Sequence, residues 1–159
     1  MIRDLIARLR ARHWMLATAE SCTGGMIAAA ITDIAGSSDV FDRGFVTYSN
    51  QAKTDMLGVP AALIARDGAV SETVAAAMAQ GALVHSRADI AVSVTGVAGP
   101  GGGSARNPVG TVCFGLIQRD RDVQTFRRQF PGDRAAVRLA TRDFAMELLH
   151  QSVTPSPPP

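Results

Sequence analysis

The sequence predicts a single α/β domain in which helices pack against one mixed β-sheet. Its 159 residues are close to the usual size of one domain, and an apolar fraction of 47% with 19% charged residues is sufficient for a buried core. Segments with helical periodicity alternate along the chain with short apolar segments typical of strands. The aromatic residues are six phenylalanines, one tyrosine and one tryptophan, so we expect small side chains to make most of the helix–sheet contacts.

The first predicted elements are a helix, a strand and a second helix. Apolar residues at helical spacing predict an amphipathic helix that ends near Arg12. Residues 15–19 predict a short buried strand, and residues 26–31 are rich in helix-forming residues, in a segment that closes before Gly36. The strand therefore leads directly into a helix, and Ser21 lies on the turn between them.

The middle of the chain repeats this alternation, with serine residues at the predicted helix starts. The predicted elements are a strand at residues 45–48, a helix capped by Ser49 and stopped by Gly58 and Pro60, an alanine-rich helix capped by Ser71 that extends to about residue 86, and an apolar strand at residues 90–95. The last strand ends at another junction between a strand and a loop.

The last third of the chain predicts a β-hairpin and a long helix. A glycine-rich loop at residues 96–108 precedes two strand segments, residues 109–117 and 123–130, whose short connection predicts a hairpin. This hairpin makes part of an otherwise mostly parallel sheet antiparallel. Asp133 is the predicted N-cap of a final amphipathic helix.

Composition and charge argue against several classes of protein. The net charge is +2 and the arginines are spread along the chain, so we expect no nucleic-acid partner. Cys22 and Cys113 are isolated, which disfavours a zinc site or a disulfide framework. Charges interrupt the first twelve positions, so we expect neither a signal peptide nor a membrane span, and a cytoplasmic location. Residues 1–152 are expected to form the one domain, and residues 153–159 a disordered proline-rich tail.

A single lysine and a single tyrosine stand out in a chain with fifteen arginines. Lys53 and Tyr48 are five residues apart. Because this chain uses arginine where only positive charge is needed, an isolated lysine suggests a task that requires loss of its proton, which is general-base catalysis. Such a base needs a pKa well below the ordinary lysine value of about 10.4. The alternatives are a solvated Lys53 on a helix surface and a Tyr48 whose hydroxyl lies in water.

Ser21 is the candidate nucleophile for such a base. A neutral Lys53 beside Ser21 can accept the hydroxyl proton, and Tyr48 can relay that proton or hold the amine in place. Backbone N–H groups at the following helix start can bind an oxyanion or a phosphate. The candidate donors are those of Cys22, Thr23 and Gly24.

Other interpretations of this turn stay open at this stage. Ser21 can be a simple helix N-cap, since serine is common there. Cys22 can be the nucleophile instead, because it also lies at a positive helix start. The histidines have no short-range spacing, and Ser21 lacks the flanking glycines of a nucleophile elbow, so a serine–histidine triad is disfavoured.

The glycine-rich loop and the last helix supply candidate substrate contacts. The loop matches neither a P-loop nor a Rossmann fingerprint, yet its backbone can hold a phosphate; a simple turn-rich connection is the alternative. Arg134 and Arg138 lie one turn apart and can hold an anionic substrate, unless both are merely solvated. The loop residues predicted to contact the substrate are Thr95, Gly96, Gly99 and Gly101.

Five sequence blocks, occurring in one order, make the chain similar to a known family. The blocks are Thr18-Ala19-Glu20-Ser21-Cys22-Thr23-Gly24-Gly25, Phe45-Val46-Thr47-Tyr48-Ser49-Asn50-Gln51-Ala52-Lys53, Gly68-Ala69-Val70-Ser71-Glu72, Thr95-Gly96-Val97-Ala98-Gly99-Pro100 and Pro108-Val109-Gly110-Thr111-Val112. On these blocks the chain resembles the CinA C-terminal domain family over roughly residues 14–145. Five ordered blocks are far more specific than any single motif.

The resemblance implies a three-layer α/β/α fold with a mixed sheet and, since family members are often dimeric, a homodimer as one expected assembly. It implies hydrolysis of the carboxamide of nicotinamide mononucleotide to nicotinic acid mononucleotide and ammonia. A small-molecule nucleotide is then the substrate, and no metal or organic cofactor is implied. The family's catalytic serine, tyrosine and lysine correspond to Ser21, Tyr48 and Lys53, the residues that turn position and composition also single out.

Two competing functions remain open at the level of sequence. One is a non-catalytic nucleotide-binding or regulatory module, and the other is a hydrolase of another small amide, because sequence does not show the shape of a pocket. Gly101 stands where the family commonly has an acidic residue, and Arg106-Asn107 replace its more usual acidic–basic pair. We therefore expect the substrate loop to differ in detail from that of relatives.

Overall fold

The computed structural model describes residues 1–154, which contain six α-helices and five strands. A short 3-10 turn, Ser37–Asp39, precedes the second strand. The elements in chain order are α1 (Ile2–Ala11), β1 (Leu16–Glu20), α2 (Met26–Thr32), β2 (Phe41–Val46), α3 (Asn50–Leu57), α4 (Ala61–Asp67), α5 (Glu72–Val84), β3 (Ile90–Gly96), β4 (Thr111–Gln118), β5 (Gln124–Gln129) and α6 (Arg134–Val153).

The strands form one mixed sheet in the order β2-β1-β3-β4-β5. Strand β1 is parallel to both β2 and β3, whereas β4 is antiparallel to β3 and β5 is antiparallel to β4. The predicted mixed sheet with its antiparallel hairpin is confirmed: four of the five strands run in one direction, and only β4 is reversed. Strand β4 is reversed because it follows β3 through a loop without a crossover helix, so the chain returns antiparallel.

Helices cover both faces of this sheet, which confirms the three-layer architecture. One core cluster joins α1, α2 and α6 to the sheet, and it includes Leu9, Ile27 and Leu149. The other cluster lies under α3, α4 and α5. Side chains alternate along β3, so Val92 belongs to the first cluster and Ala91 to the second. Small residues therefore face α5, as the shortage of aromatic residues predicted.

The predicted helix caps are confirmed. The side chains of Ser49, Ser71 and Asp133 accept hydrogen bonds from the N–H groups of Ala52, Val74 and Ala136, respectively. Gly58 ends α3 in the left-handed conformation, with φ of 68°. These caps fix where α3, α5 and α6 begin, and α3 and α6 each carry a predicted site residue.

Two regions differ from the sequence prediction. Strand β2 runs over Phe41–Val46 rather than 45–48, and as an edge strand it leaves several side chains exposed, which weakens its sequence pattern. Helix α4 was not predicted, because Pro60 was interpreted as a helix stop; proline also suits a helix start, and Pro60 is the N-cap of α4. Among residues 1–154, no helix is both long and apolar enough to cross a bilayer.

The predicted tail begins too early by at least one residue. Val153 is the last residue of α6 and is fully buried, so it belongs to the helical core rather than to a tail. Hydrophobic contact keeps it in the helix, whereas the prediction was based on the proline content that follows. Residues 155–159 of the predicted tail lie outside the described residues.

Gly81 sets the spacing between α5 and the helix that carries Lys53. A Cβ atom at Gly81 would lie 2.1 Å from the carbonyl oxygen of Leu57, the last residue of α3. Gly81→Ala is expected to lower the free energy of unfolding by about 1–3 kcal/mol, although alanine is favoured over glycine inside a helix by about 1 kcal/mol. Denaturant unfolding measures this, with the exposed neighbour Gln80→Ala as the matched control. Equal stability of the two variants would contradict the close approach of α3 and α5.

Candidate active site

The carboxyl ends of the three parallel strands meet at one cleft of about 300 Å³. Ser21 directly follows β1, Thr47 directly follows β2, and Gly96 ends β3. The chain leaves β1 towards β2 on one side and later reaches β3 on the other, so the cleft lies at the switch point of the sheet, where open α/β sheets bind ligands. Three chain segments far apart in sequence are thereby brought together.

Lys53 and Ser21 form the centre of this cleft. The Nζ atom of Lys53 lies 3.1 Å from Ser21 Oγ and 3.0 Å from the carbonyl oxygen of Thr47. Lys53 is 1% exposed, and within residues 1–154 no carboxylate forms an ion pair with it. Burial lowers the pKa of the Lys53 amine. The interpretation of Lys53 as a solvated surface charge is therefore wrong.

A neutral amine in this position can act as a base towards Ser21. An ammonium donates three hydrogen bonds and has no lone pair, whereas the neutral amine can still donate to the Thr47 carbonyl while its lone pair accepts the Ser21 proton. The distance between Nζ and Oγ is within the range for a general base and its nucleophile. The geometry thus supports the pairing that the sequence predicted.

The turn after β1 holds Ser21 by its backbone. The N–H of Ser21 donates to the Val94 carbonyl at 3.0 Å, and the N–H of Gly24 donates to the Ser21 carbonyl at 3.1 Å. Helix α2 has Gly25 as its N-cap, so the interpretation of Ser21 as the helix cap is wrong. The N–H of Gly24 is already bound within the turn, which also removes it as an oxyanion donor.

Two candidate oxyanion donors remain in the turn. In the described part of the chain, the N–H groups of Cys22 and Thr23 donate to no backbone carbonyl. The Thr23 side chain is buried and donates to Glu20 at 2.7 Å, so Thr23 can contribute only its backbone to the cleft. Cys22 lines the cleft beside Ser21.

Glu20 supports the turn after β1, and the sequence interpretation missed it. Its carboxylate, 1% exposed, accepts hydrogen bonds from the N–H groups of Ile27 at 2.9 Å and Ala28 at 3.0 Å, in the first turn of α2. The start of α2 therefore already holds an anion from the chain itself, and it is not free for a substrate phosphate. An acidic residue shortly before a predicted helix start was the available signal.

Tyr48 lies on the wall of the cleft but does not touch the amine. Its side chain is 62% exposed, and its hydroxyl oxygen accepts a hydrogen bond from Arg134 Nη2 at 3.0 Å. The predicted task of holding the Lys53 amine is performed here by the Thr47 carbonyl, because the neighbouring backbone of the β2–α3 connection passes directly beside the amine.

The predicted loop residues all line the cleft. Thr95 donates its hydroxyl proton to the Ala69 carbonyl at 2.8 Å, which ties the end of β3 to the loop before α5. Gly99 has a φ of 84°, and a Cβ atom there would lie 2.5 Å from Val109, so only glycine fits. The other two residues are Gly96, where a Cβ atom would lie against β4, and Gly101, where a Cβ atom would meet open space.

The two predicted arginines have different positions. Arg134 lines the cleft and donates to the Gly99 carbonyl at 2.8 Å as well as to Tyr48. Arg138 lines a neighbouring cavity, which it shares with Arg134, rather than the cleft itself. Arg138 donates to the carbonyl oxygens of Cys22 and Thr23, because the part of α6 that carries it packs against residues 21–25, which we call the nucleophile turn.

Cys22 is a poor candidate for the nucleophile. Its side chain is buried, and this burial raises the pKa of the thiol to about 11, so the reactive thiolate is not populated near neutral pH. Among the described residues that line the cleft there is no histidine. Ser21 is therefore the nucleophile that the geometry favours.

Comparison with known proteins places this architecture in a specific group. The CinA C-terminal domain family matches residues 1–153. A nicotinamide-nucleotide amidohydrolase PncC from Enterobacter agglomerans is 57% identical over 144 residues, which are 91% of this chain and 88% of the relative. A CinA-like protein from Syntrophobacter fumaroxidans is 49% identical over 92% of this chain, but the chain spans only 34% of that protein.

A solved structure has the same fold. The competence/damage inducible protein CihA from Agrobacterium tumefaciens superimposes with a TM-score of 0.92 at 50% identity, covering 96% of this chain and 92% of the other. This similarity extends over nearly the whole chain.

Proposed function

The chain belongs to the CinA C-terminal domain family, and we propose that it hydrolyses the carboxamide of nicotinamide mononucleotide to nicotinic acid mononucleotide and ammonia. The name of the amidohydrolase relative, which matches along nearly its full length, supports the substrate. The observation that carries the chemistry is the buried Lys53 amine within 3.1 Å of the Ser21 hydroxyl. A serine beside a desolvated lysine is a known arrangement for acyl transfer.

In the proposed reaction, Ser21 Oγ attacks the carboxamide carbon while neutral Lys53 accepts its proton. The carbonyl oxygen becomes an oxyanion, which the N–H groups of Cys22 and Thr23 can bind. Lys53 then gives the proton to the amide nitrogen, and ammonia leaves as the C–N bond breaks. An ester of Ser21 with the pyridine carboxyl group remains.

Water completes the proposed cycle. Neutral Lys53 accepts a proton from the water molecule, whose oxygen attacks the ester carbon, and the same proton returns to Ser21 Oγ as the ester bond breaks. The sum is one carboxamide and one water converted to one carboxylic acid and one ammonia. One base serves both halves of the reaction, which matches a cleft with a single buried amine.

We assign Tyr48 a supporting role in proton handling. The Tyr48 side chain lies on the cleft wall. Tyr48 directly follows Thr47, whose carbonyl oxygen holds the Lys53 amine. From there the Tyr48 hydroxyl can pass a proton between the amine and the departing ammonia through one water molecule. Arg134 holds this hydroxyl in place before substrate binds.

The remaining cleft residues are proposed to bind the nucleotide. Thr95, Gly96, Gly99 and Gly101 form one wall, and the cleft volume of about 300 Å³ is within the usual range for small-molecule sites. Arg134 and Lys53 are the charged side chains on the cleft wall. Because Lys53 must be neutral to act and Glu20 fills the start of α2, Arg134 is the group that we propose for the phosphate.

The proposal is tested by measuring ammonia release from nicotinamide mononucleotide, with nicotinamide, nicotinamide riboside and a panel of other small amides as comparison substrates. We expect release from the mononucleotide and slower release from the compounds without a phosphate. Tight binding of the mononucleotide without turnover would favour a regulatory module. Turnover of a different amide alone would favour a hydrolase with another substrate.

A further inference from the structure

We infer that Arg138 is a positioning residue for the oxyanion site: by binding two carbonyl oxygens of the nucleophile turn, it orients and polarises the peptide groups that stabilise the oxyanion. The inference rests on the proposed function, since it concerns the same reaction at Ser21. It concerns an action of Arg138 through the backbone rather than the expected contact with substrate.

The contact itself joins distant parts of the chain. Arg138 Nε lies 3.1 Å from the Cys22 carbonyl oxygen, and Arg138 Nη2 lies 3.1 Å from the Thr23 carbonyl oxygen, across 116 and 115 positions of sequence. Arg138 is half-buried, and within residues 1–154 it forms no ion pair with a carboxylate. Its charge is therefore directed at the turn rather than neutralised by an acid.

Peptide planarity transmits this contact to the side of the turn opposite α6. In a trans peptide group the C=O and N–H point in opposite directions. The Cys22 carbonyl and the Thr23 N–H belong to the same group, so holding that carbonyl towards Arg138 points the Thr23 N–H away from α6. This N–H donates to no backbone carbonyl of the described chain.

The neighbouring peptide group is fixed in the same way. The Ser21 carbonyl accepts the Gly24 N–H at 3.1 Å, and this carbonyl shares its peptide group with the Cys22 N–H. Both candidate oxyanion donors are thus oriented through their carbonyl oxygens, one by Gly24 and one by Arg138. Only the second of these anchors is a side chain that can be replaced.

The charge of Arg138 also strengthens the donor. A hydrogen bond from a guanidinium to a carbonyl withdraws electron density from the peptide group, which makes its N–H a better donor. Glu20 holds the other side of the turn through α2 without touching Arg138. The turn therefore has a buried anion at the helix start and a cation behind the predicted oxyanion donors.

Loss of this contact should slow the chemical step more than it weakens substrate binding. Removing one oxyanion donor typically lowers kcat by about 10²–10³-fold, and Arg138→Met keeps the donor but loses its orientation and polarisation. We expect kcat to fall by about tenfold or more, still less than for loss of a whole donor, with KM nearly unchanged. Arg142→Met is the matched control, because Arg142 lies one turn further along α6 and pairs with Asp143.

A second measurement separates positioning from a general structural effect. The 3-formylpyridine analogue of nicotinamide mononucleotide presents an aldehyde to which Ser21 can add, which forms a tetrahedral oxyanion. Nicotinic acid mononucleotide, the product, forms none. In Arg138→Met we expect the affinity for the aldehyde to fall in parallel with kcat/KM, while the affinity for the product stays as in wild type. Guanidinium ion, added below denaturing concentration, should partly restore kcat in Arg138→Ala.

The outcomes are distinct for the two proposals. If wild type releases no ammonia from the mononucleotide, the proposed function fails. If wild type is active and Arg138→Met matches Arg142→Met in kcat, the positioning role is refuted. It is equally refuted if Arg138→Met weakens the aldehyde and the product to the same extent, or lowers kcat only together with the melting temperature and without rescue of Arg138→Ala by guanidinium.

Discussion

Replacing Ser21 with alanine is expected to lower kcat/KM for ammonia release from nicotinamide mononucleotide by at least about 10³-fold. The variant lacks the atom that forms the ester. Lys53 can then only activate a water molecule to attack the amide directly, which is a slower reaction. Binding of the mononucleotide should change little, because the cleft wall and Arg134 are unaffected. Steady-state rates and equilibrium binding together measure the two effects.

The matched control is Ser37→Ala. Ser37 is also a buried serine, with 7% exposure against 8% for Ser21, but it lies in the 3-10 turn before β2 and does not line the cleft. Its removal should leave the rate within about twofold of wild type, as expected for a residue away from the chemistry. Turnover by Ser21→Ala comparable to that of Ser37→Ala would exclude Ser21 as the nucleophile.

Replacing Lys53 with either methionine or arginine is expected to reduce kcat/KM by about 10³-fold or more. Methionine has a similar length without a base, whereas arginine keeps the positive charge but does not lose its proton in proteins. Loss in both variants would show that the proton of Lys53 matters rather than its charge. Gln51→Met, on the exposed side of α3, is the control and should retain activity. High activity in Lys53→Arg would contradict a general base at this position.

The lowered pKa of Lys53 predicts two pH dependences. The rate should rise with pH as the buried amine loses its proton, with a midpoint below the ordinary lysine value of about 10.4. Between the lowered pKa of Lys53 in the folded chain and its ordinary pKa in the unfolded chain, the unfolded chain binds more protons than the folded chain. The free energy of unfolding should therefore also rise with pH in this interval. Below both values burial of the charged amine destabilises the fold by a constant amount. Lys53→Met should lose this slope, and denaturant unfolding at several pH values measures it.

Local sequence patterns predicted the elements that carry the site. Ser49, Ser71 and Asp133 cap helices because their side chains bind N–H groups only three residues away, an interaction that depends on neighbouring sequence alone. The edge strand β2 was displaced by several residues in the prediction, since an exposed strand lacks an apolar pattern. Helix α4 was missed because Pro60 suits both the end of one helix and the start of the next.

The candidate site likewise contains residues that the sequence predicted and contacts that depend on the folded chain. Lys53 was predicted because it is the single lysine, which is a property of composition, and its contact with Ser21 agrees with that inference. The contact between Arg138 and the Cys22 carbonyl spans 116 positions and follows no local spacing. Arg134 and Arg138 are both arginines near the start of α6. Only the direction in which each side chain leaves the helix decides that Arg134 faces the cleft and Arg138 faces the backbone of the nucleophile turn.

The isolation of Lys53 in the sequence also makes the site directly observable by spectroscopy. Growth on ¹⁵N-lysine labels a single side-chain nitrogen in the whole protein, the Nζ atom beside Ser21. The chemical shift of one nuclear magnetic resonance signal then reports the protonation state of this amine without assignment of any other residue. The other cationic groups of the chain do not interfere, since none of them belongs to a lysine side chain.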